Sequence, residues 1–469
     1  MDVTRANFRD KVPEILKLIE DAEYIGFDFE YSGLINESGR GPFPGKVERG
    51  RKPTMEERYQ LSKESAERFS IIQMGVCPVA WDKSSNRYIA RPFNFYITPS
   101  INPMLHFDRG FASTGDAVAF HHKHGFDFNK LFGQGCAYLS HAEEAKIRAL
   151  REFYEVDLEH DVYIDQNETL MMQTARRLIS EWDLERNGDM AAFLNITPLE
   201  ADRTFNAYQR RLLHQLLRND YPHLVGQSFD KYFQVQVKLQ DREVAKTKAR
   251  DEHFDNLLKE QIGVRVIIDR MRELKKPLVG HNCFGDLCYW IRMFDGALPD
   301  TLNEFRAILR KDFGLIVDTK FLAMNIDRKR YGEMTSGLQE LVSKLGTQDL
   351  PGFHMPIGTV NYDTSTRDHQ AGYDSWCTAK VLAKMAVLMY KVGSDDPPPP
   401  MESTNEIDAR RDQIREALLV RPGKNGYQIL VTLEKTPSKA RIPPWTSLFW
   451  VVFGGRLMVN GTIEGEFTI

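Results

Sequence analysis

The chain has 469 residues, 42% hydrophobic and 27% charged, with a formal net charge of −4. Such a length suggests about two to four domains and a large core, and the composition is ordinary for a soluble globular protein. The slight acidity excludes a surface basic all over, while leaving room for a local basic groove beside an acidic site.

The N-terminus, MDVTRANFRDK, carries no apolar core of a signal peptide. Phe8, Val12, Ile15, Leu16 and Ile19 recur at helical spacing over residues 7–22, with Asn7 as the expected N-cap. The stretch YIGFDFEY, residues 24–31, reads as a strand. Its period of two puts Ile25, Phe27 and Phe29 on one face and Asp28 with Glu30 on the other. Two adjacent carboxylates repel, and burial makes each costlier. Either that face is the solvated side of a half-buried sheet, or cations sit against it, in which case further acids must arrive from elsewhere. Residues 35–55 (rich in Gly, Pro, Arg and Lys) read as a long loop, followed by a helix near 55–67 and strands at 70–77 and 93–97.

Residues 145–260 are charged and helical in period. Within YQRRLLHQLLRNDYP, 208–222, Arg210 and His214 lie four apart on one helical face, near Arg211 and Arg218. Such a face suits phosphate contact, and equally a solvated surface. The α/β pattern then returns: a strand end at LVGHN (278–282) with a helix after it, a strand at 315–318, helices from about 319 and at 335–345, and a last helix from Tyr373 to about Met389. GSDDPPPP, 393–400, is a stiff linker. Residues 405–469 suggest a charged helix and short strands, among them YQILVTL and SLFWVVFGGRLMV, with Leu448–Phe453 as a buried strand. The run is far shorter than the roughly 20 residues of a membrane helix, so no membrane association is expected. Five scattered cysteines without a CxxC pair argue against a disulfide scaffold or structural zinc, and for a cytoplasmic or nuclear location.

Two later stretches offer the further acids. In GHNCFGD, Asn282 and Asp286 are four apart; in DHQAGYDSW, His369 precedes Asp374. Each alone reads as readily as a turn or a helix cap. Together with Asp28 and Glu30 they supply four carboxylates and a histidine within the α/β segments. Carboxylates of this kind can hold two divalent ions about 3.5–4 Å apart for in-line attack on a phosphodiester, with a histidine accepting the water's proton.

This order resembles the DEDDh 3′–5′ exonucleases, and more closely the poly(A)-specific ribonuclease group, which includes small-RNA trimmers. FDFEYSG, EERYQ, PFNFYITP, HGFDFNKLFGQG, LVGHN, DTKFLA and HQAGYD look like that family's landmark segments, in its order, across residues 1–390. The resemblance implies an α/β, RNase H-like fold in two parts, residues 1–145 and 259–392. It also implies a helical single-stranded nucleic-acid-binding insertion at 146–258, a linker at 393–404 and a small C-terminal region at 405–469, a degenerate RRM. It implies Asp28, Glu30, Asp286 and Asp374 as ligands of two Mg2+ ions, with Mn2+ as a substitute, and His369 as the general base. Tyr31, Leu34, Val118, Phe120, Lys320, Leu338, Arg210 and His214 are the implied RNA contacts; Val118, Phe120 and Leu338 equally fit core packing. A homodimer acting on single-stranded RNA 3′ ends is also implied.

The sequence departs from the family in two places. Phe29 stands where the deadenylase has glycine, but it faces away from the acids. Residues 405–469 show no convincing RNP motif. The expected function is therefore 3′-end trimming of small-RNA precursors carried by an Argonaute-type protein, with poly(A) deadenylation as the alternative. A non-catalytic RNA-binding scaffold and a DNA exonuclease are the other classes. Five retained chemical groups speak against the scaffold, and only the resemblance favours RNA over DNA.

Overall fold

The computed structural model describes residues 1–35, 51–157, 161–200, 203–325, 336–346, 352–354, 369–389, 422–423, 426–427 and 441–469. They form two compact units, one of residues 1–103, 107–144 and 260–469, the other of 104–106 and 145–259.

The first unit is built on a mixed sheet. Its strands are β1 Asp2–Val3, β2 Tyr24–Tyr31, β3 Ile71–Asp82, β4 Arg87–Ala90 and β5 Phe93–Tyr96, then β9 Leu278–Gly280, β10 Ile316–Asp318 and β11 Gly352–His354. The central order is β1-β5-β3-β2-β9-β10, with β4 pairing the far half of β3 and β11 pairing β4. β2 runs antiparallel to β3 and parallel to β9. The alternation in YIGFDFEY decides which face is which. Phe27 and Phe29 pack their rings on Trp290 at 5.5 and 5.7 Å, within the helix Phe284–Phe294. Phe29 therefore belongs to the core, away from the acids.

Gly26 and the acids face the helix Ala371–Met389, which is buried along nearly its whole length. Apolar residues on most of its sides suit the interior. Its backbone approaches so closely that a Cβ on Gly26 would lie 2.4 Å from the Ser375 carbonyl oxygen, and one on Gly75 1.8 Å from that of Ala371. Two buried side chains of the sheet dock its first turn: Gln73 Oε1 accepts from Ala371 N at 2.8 Å, and Asn94 Oδ1 from Gly372 N at 3.0 Å. These satisfy donors that a helix start otherwise leaves orphaned.

Several local expectations shift. The first helix is Phe8–Asp21, but Asn7 does not cap it; its Oδ1 accepts from Thr4 N at 2.9 Å instead. Leu448–Phe453 is a short helix rather than a strand, with Trp450 buried and its Nε1 donating to Pro443 O at 3.1 Å. Periodicity cannot separate so short an apolar run from a strand. It is followed by an antiparallel pair, β14 Arg456–Met458 with β15 Glu466–Thr468, whose Leu457 and Phe467 lie in the core of the first unit. Residues 441–469 thus pack into that unit rather than standing as a separate C-terminal region. Between them and the last long helix, only the two-residue strands β12 (Pro422–Gly423) and β13 (Gly426–Tyr427) are described. The linker, the charged helix after it and most of YQILVTL fall outside the described residues, as does most of the 35–55 loop.

The second unit is α+β rather than purely helical. Beside the helices Thr169–Glu185 and Ala207–Asp220 it holds an antiparallel sheet, β6 Phe193–Ile196, β8 Phe233–Val237 and β7 Leu224–Ser228 in that order. Leu212, Leu213, Leu216 and Leu217 share its core with Phe233 and Val235. Among the described residues, no helix is long and apolar enough to cross a membrane.

Candidate active site

Asp28 and Glu30 project from β2 towards the start of the helix Ala371–Met389, where Asp374 occupies the first turn. Asp286 occupies the first turn of the helix Phe284–Phe294. The ligand atoms of Glu30, His369 and Asp374 all lie within 4.8 Å of one another. The Asp28 carboxyl is within electrostatic reach of Asp374, Asp286 and Glu30. The structure thus brings to one place all five residues that the sequence separates by more than 340 positions.

Each acid is held. Asp374 is buried; its Oδ1 accepts from Gln339 Nε2 at 2.9 Å and its Oδ2 from His369 N at 3.0 Å. Asp286 Oδ1 accepts from the Tyr31 hydroxyl at 2.5 Å. The Tyr31 ring stacks on Tyr289, with centroids 4.1 Å apart. His369 has φ +65°, the left-handed region, which turns the chain just ahead of the helix. Its ring meets those of Phe120 at 4.7 Å and His124 at 4.4 Å.

Burial, then the neighbouring carboxylates, lifts Asp28 and Glu30 well above the usual carboxylate range. Burial pushes Asp286 up to about 7 against the lowering effect of the Tyr31 hydroxyl. Among the described residues no Lys or Arg forms an ion pair with Asp28, Glu30 or Asp286. Such a crowd of hard oxygen donors fits divalent ions such as Mg2+ or Mn2+.

The shifted acids carry a stability cost with a definite sign. An ordinary aspartate titrates near 3.9 when unfolded. With the folded value raised to about 7, the folded state binds the extra proton in between. Stability of the metal-free protein therefore falls as pH rises through that window, and the loss is complete above it. Asp286→Asn keeps an acceptor for Tyr31 and removes the charge. In EDTA at pH 8 it should be more stable than the parent chain by on the order of 2 kcal/mol, with the difference fading towards pH 5. Thermal melts at both pH values check this; an equal difference at both would remove the charge explanation.

The other expected positions divide. Leu34, Val118 and Phe120 are 58%, 41% and 39% exposed, so core packing does not account for them. Leu338 is half-buried against the cluster containing Leu341 and is largely packing. Lys320 is half-buried, and its backbone N–H donates to Asp318 at 2.9 Å. Asn282 has φ +60° and precedes the helix Phe284–Phe294, so its spacing from Asp286 is not a helical one. His281 is structural: it bonds Thr319 Oγ1 at 2.9 Å and Ser336 O at 3.0 Å, and burial pushes it down to about 4. In the second unit, His214 packs edge-on against Phe233 at 4.8 Å, and Arg210 Nη2 reaches Asp230 O at 3.5 Å. Arg218 bonds Asp161 at 2.6 Å.

Sequence reasoning missed four participants. Gln339 orients Asp374. Asp318, fully buried, accepts from Asn282 N and Lys320 N through Oδ1 and from Met458 N through Oδ2, tying β14 to the turn before Asp286. His121 and His124 lie on and just after the helix Gly115–Lys123. The run FHHKH was the available signal, since residues three apart share a helical face.

The sequence profile of the CAF1 family ribonucleases matches residues 3–382. The poly(A)-specific ribonuclease PARN of Xenopus laevis is 30% identical over 413 residues, covering 82% of this chain and 62% of that one. The pre-piRNA 3′-exonuclease trimmer of Bombyx mori is 27% identical over 404 residues, covering 82% of this chain and 71% of the trimmer. This chain thus spans about three-fifths of the length of the frog ribonuclease. Among solved structures, the Mg2+- and Mn2+-bound form of Schizosaccharomyces pombe Pop2p aligns with 81% of this chain and 89% of its own, at 15% identity and a TM-score of 0.37.

Proposed function

The chain belongs to the CAF1 family of ribonucleases and has that family's α/β nuclease fold; on that premise we propose that it is a Mg2+-dependent 3′–5′ exoribonuclease that trims the 3′ ends of small-RNA precursors. The observation that carries this reading is the convergence of Asp28, Glu30, Asp286, Asp374 and His369 on one acidic site.

Asp28, Glu30, Asp286 and Asp374 would hold two divalent ions, Mg2+ or Mn2+. Bound ions supply positive charge to the scissile phosphate and lower the pKa of the attacking water. The chain does the rest. Tyr31 and Gln339 fix the orientation of Asp286 and Asp374. His369, exposed beside Asp374, takes the water's proton as general base and releases it to solvent. Phe120, Val118 and Leu34 offer exposed apolar surface on which a terminal base can stack. Hydrolysis frees a 5′-mononucleotide and leaves a new 3′-hydroxyl.

Trimming is preferred on the likeness to the Bombyx mori pre-piRNA 3′-exonuclease trimmer, of which this chain covers 71%, against 62% of the frog ribonuclease. An Argonaute-type carrier would then set the end point, and two copies of the chain would act together. Deadenylation is the second reading, favoured by the likeness to the frog poly(A)-specific ribonuclease. Purified protein with Mg2+ and two 5′-labelled RNAs of equal length separates them, one ending in oligo(A) and one mixed throughout. Similar shortening of both is expected. Arrest at the oligo(A) boundary would make the protein a deadenylase, and no shortening of either would remove the exoribonuclease reading.

A further inference from the structure

His121 has a buried nitrogen without a hydrogen-bond partner among the described residues. The residue is 3% exposed. Its Nε2 lies 2.7 Å from the carbonyl oxygen of Tyr31. A carbonyl only accepts, so Nε2 carries the proton and a neutral ring presents a lone pair at Nδ1. Among the described residues Nδ1 has no hydrogen-bond partner, and it faces Glu30 Oε2 at 3.9 Å, beyond hydrogen-bond reach. Two acceptors facing each other in a buried place repel unless something positive lies between them.

The separation is the right size for a shared ion. Bonds of roughly 2.1 Å to nitrogen and oxygen place two donors about 3–4 Å apart. Metal-binding histidines characteristically donate their other N–H to a carbonyl or carboxylate, which fixes the tautomer and aims the ring. Tyr31 supplies that carbonyl, and it is the residue next to Glu30. The Phe126 ring at 5.2 Å and the Phe120 ring at 5.5 Å hold the imidazole in place.

We propose that His121 Nδ1 is a nitrogen ligand to the divalent ion held at Glu30, and that it biases this position towards Mn2+ over Mg2+. The inference rests on the divalent-ion reading of the acidic site. Mg2+ favours an all-oxygen shell and parts reluctantly with its waters, whereas imidazole suits the first-row transition metals. Glu30 and Asp374 lie in one cluster with the general base His369, so His121 would bring a nitrogen ligand to a site otherwise held by carboxylates.

The test uses the full chain, stripped with EDTA and titrated with Mn2+ alone, then with Mg2+ as competitor. Electron paramagnetic resonance reads free Mn2+, and pulsed measurements read 14N coupling from a coordinated imidazole. His369→Ala serves as the background, because His369 is the other nearby nitrogen. In that background, His121→Leu should weaken Mn2+ binding by at least the order of tenfold that losing a supporting contact costs, and abolish the 14N coupling. Mg2+ binding should change by less than about twofold. His121→Asn, which keeps a polar side chain there, gives the same reading if the leucine variant fails to fold by circular dichroism. Unchanged Mn2+ affinity and coupling in the folded variant would overturn the proposal while leaving the acidic site standing. Failure of the unaltered chain to bind either ion would instead overturn the site reading and this inference with it.

Discussion

Asp28→Asn should lower RNA hydrolysis by on the order of a thousandfold or more, and at the same time raise the melting temperature of the metal-free protein. The first effect follows from the position of Asp28. Its carboxyl stands among Asp374, Asp286 and Glu30, which on the proposed metal-site reading makes it the common ligand of the cluster. Losing one ligand removes charge stabilisation where negative charge develops in the transition state. The second effect follows from the same crowding. Burial and three neighbouring acids push the Asp28 carboxyl well above the usual range, so its ionised form costs stability at neutral pH. A variant that loses activity and gains stability marks charges kept for chemistry rather than for folding. His369→Ala should slow the chemical step while leaving divalent-ion affinity largely intact, because its part is the water's proton. Parallel measurements of single-turnover rate, ion binding and thermal melting check all of this. Normal turnover in Asp28→Asn would sink the assignment of the acids.

Gly75→Ala should have the opposite signature, losing stability and activity together. Gly75 sits directly opposite Asp28 in the β2–β3 register, so the two share a face. A Cβ there would lie 1.8 Å from the Ala371 carbonyl oxygen and 2.2 Å from its carbon. Those are backbone atoms and cannot swing aside. The start of the helix Ala371–Met389 must move, straining its bonds to Gln73 and Asn94. Overpacking of about 1–3 kcal/mol, plus about 1 kcal/mol for each weakened hydrogen bond, predicts a loss of about 3–5 kcal/mol. Asp374 moves with that first turn, and a misplacement of about 1 Å can cost on the order of a hundredfold in rate. A Gly75→Ala chain that melts at the parent temperature would show that the helix does not need this close approach.

Reading the two variants side by side separates chemistry from scaffold. Both positions lie on the same face of the same sheet, one ångström-scale contact apart in role. On the proposed metal-site reading Asp28 is tolerated for what it binds, whereas Gly75 is required by the fold for what it lets approach.

Much of this was legible in the chain of letters. Strict alternation in YIGFDFEY sorted Phe27 and Phe29 from Asp28 and Glu30, because a strand's geometry leaves side chains only two directions. The helix expected from Tyr373 to about Met389 is present as Ala371–Met389, and its many apolar residues suit its burial. Ambiguity entered where runs were short. LFWVVF has the composition of a strand and folds as a helix, since six residues carry too little period to decide. The 145–260 segment reads as helical because its charged residues dominate the pattern, while its strands are four or five residues each.

By itself the sequence determined the chemical inventory: four carboxylates and a histidine of the right types, on a strand and at helix starts, in an order that resembles one nuclease family. Only the tertiary structure decided which groups serve them. Gln339 reaches Asp374 from 35 residues away, the Tyr31 hydroxyl reaches Asp286 across 255, and His121 turns an unpartnered nitrogen towards Glu30 from 91 positions along the chain. No local pattern encodes such meetings. They depend on how the helices settle against the sheet, and that is set by close approach at Gly26 and Gly75 and by polar docking at Gln73 and Asn94. Periodicity reports the direction of a side chain within its own element; the partner it finds is a property of the packing between elements.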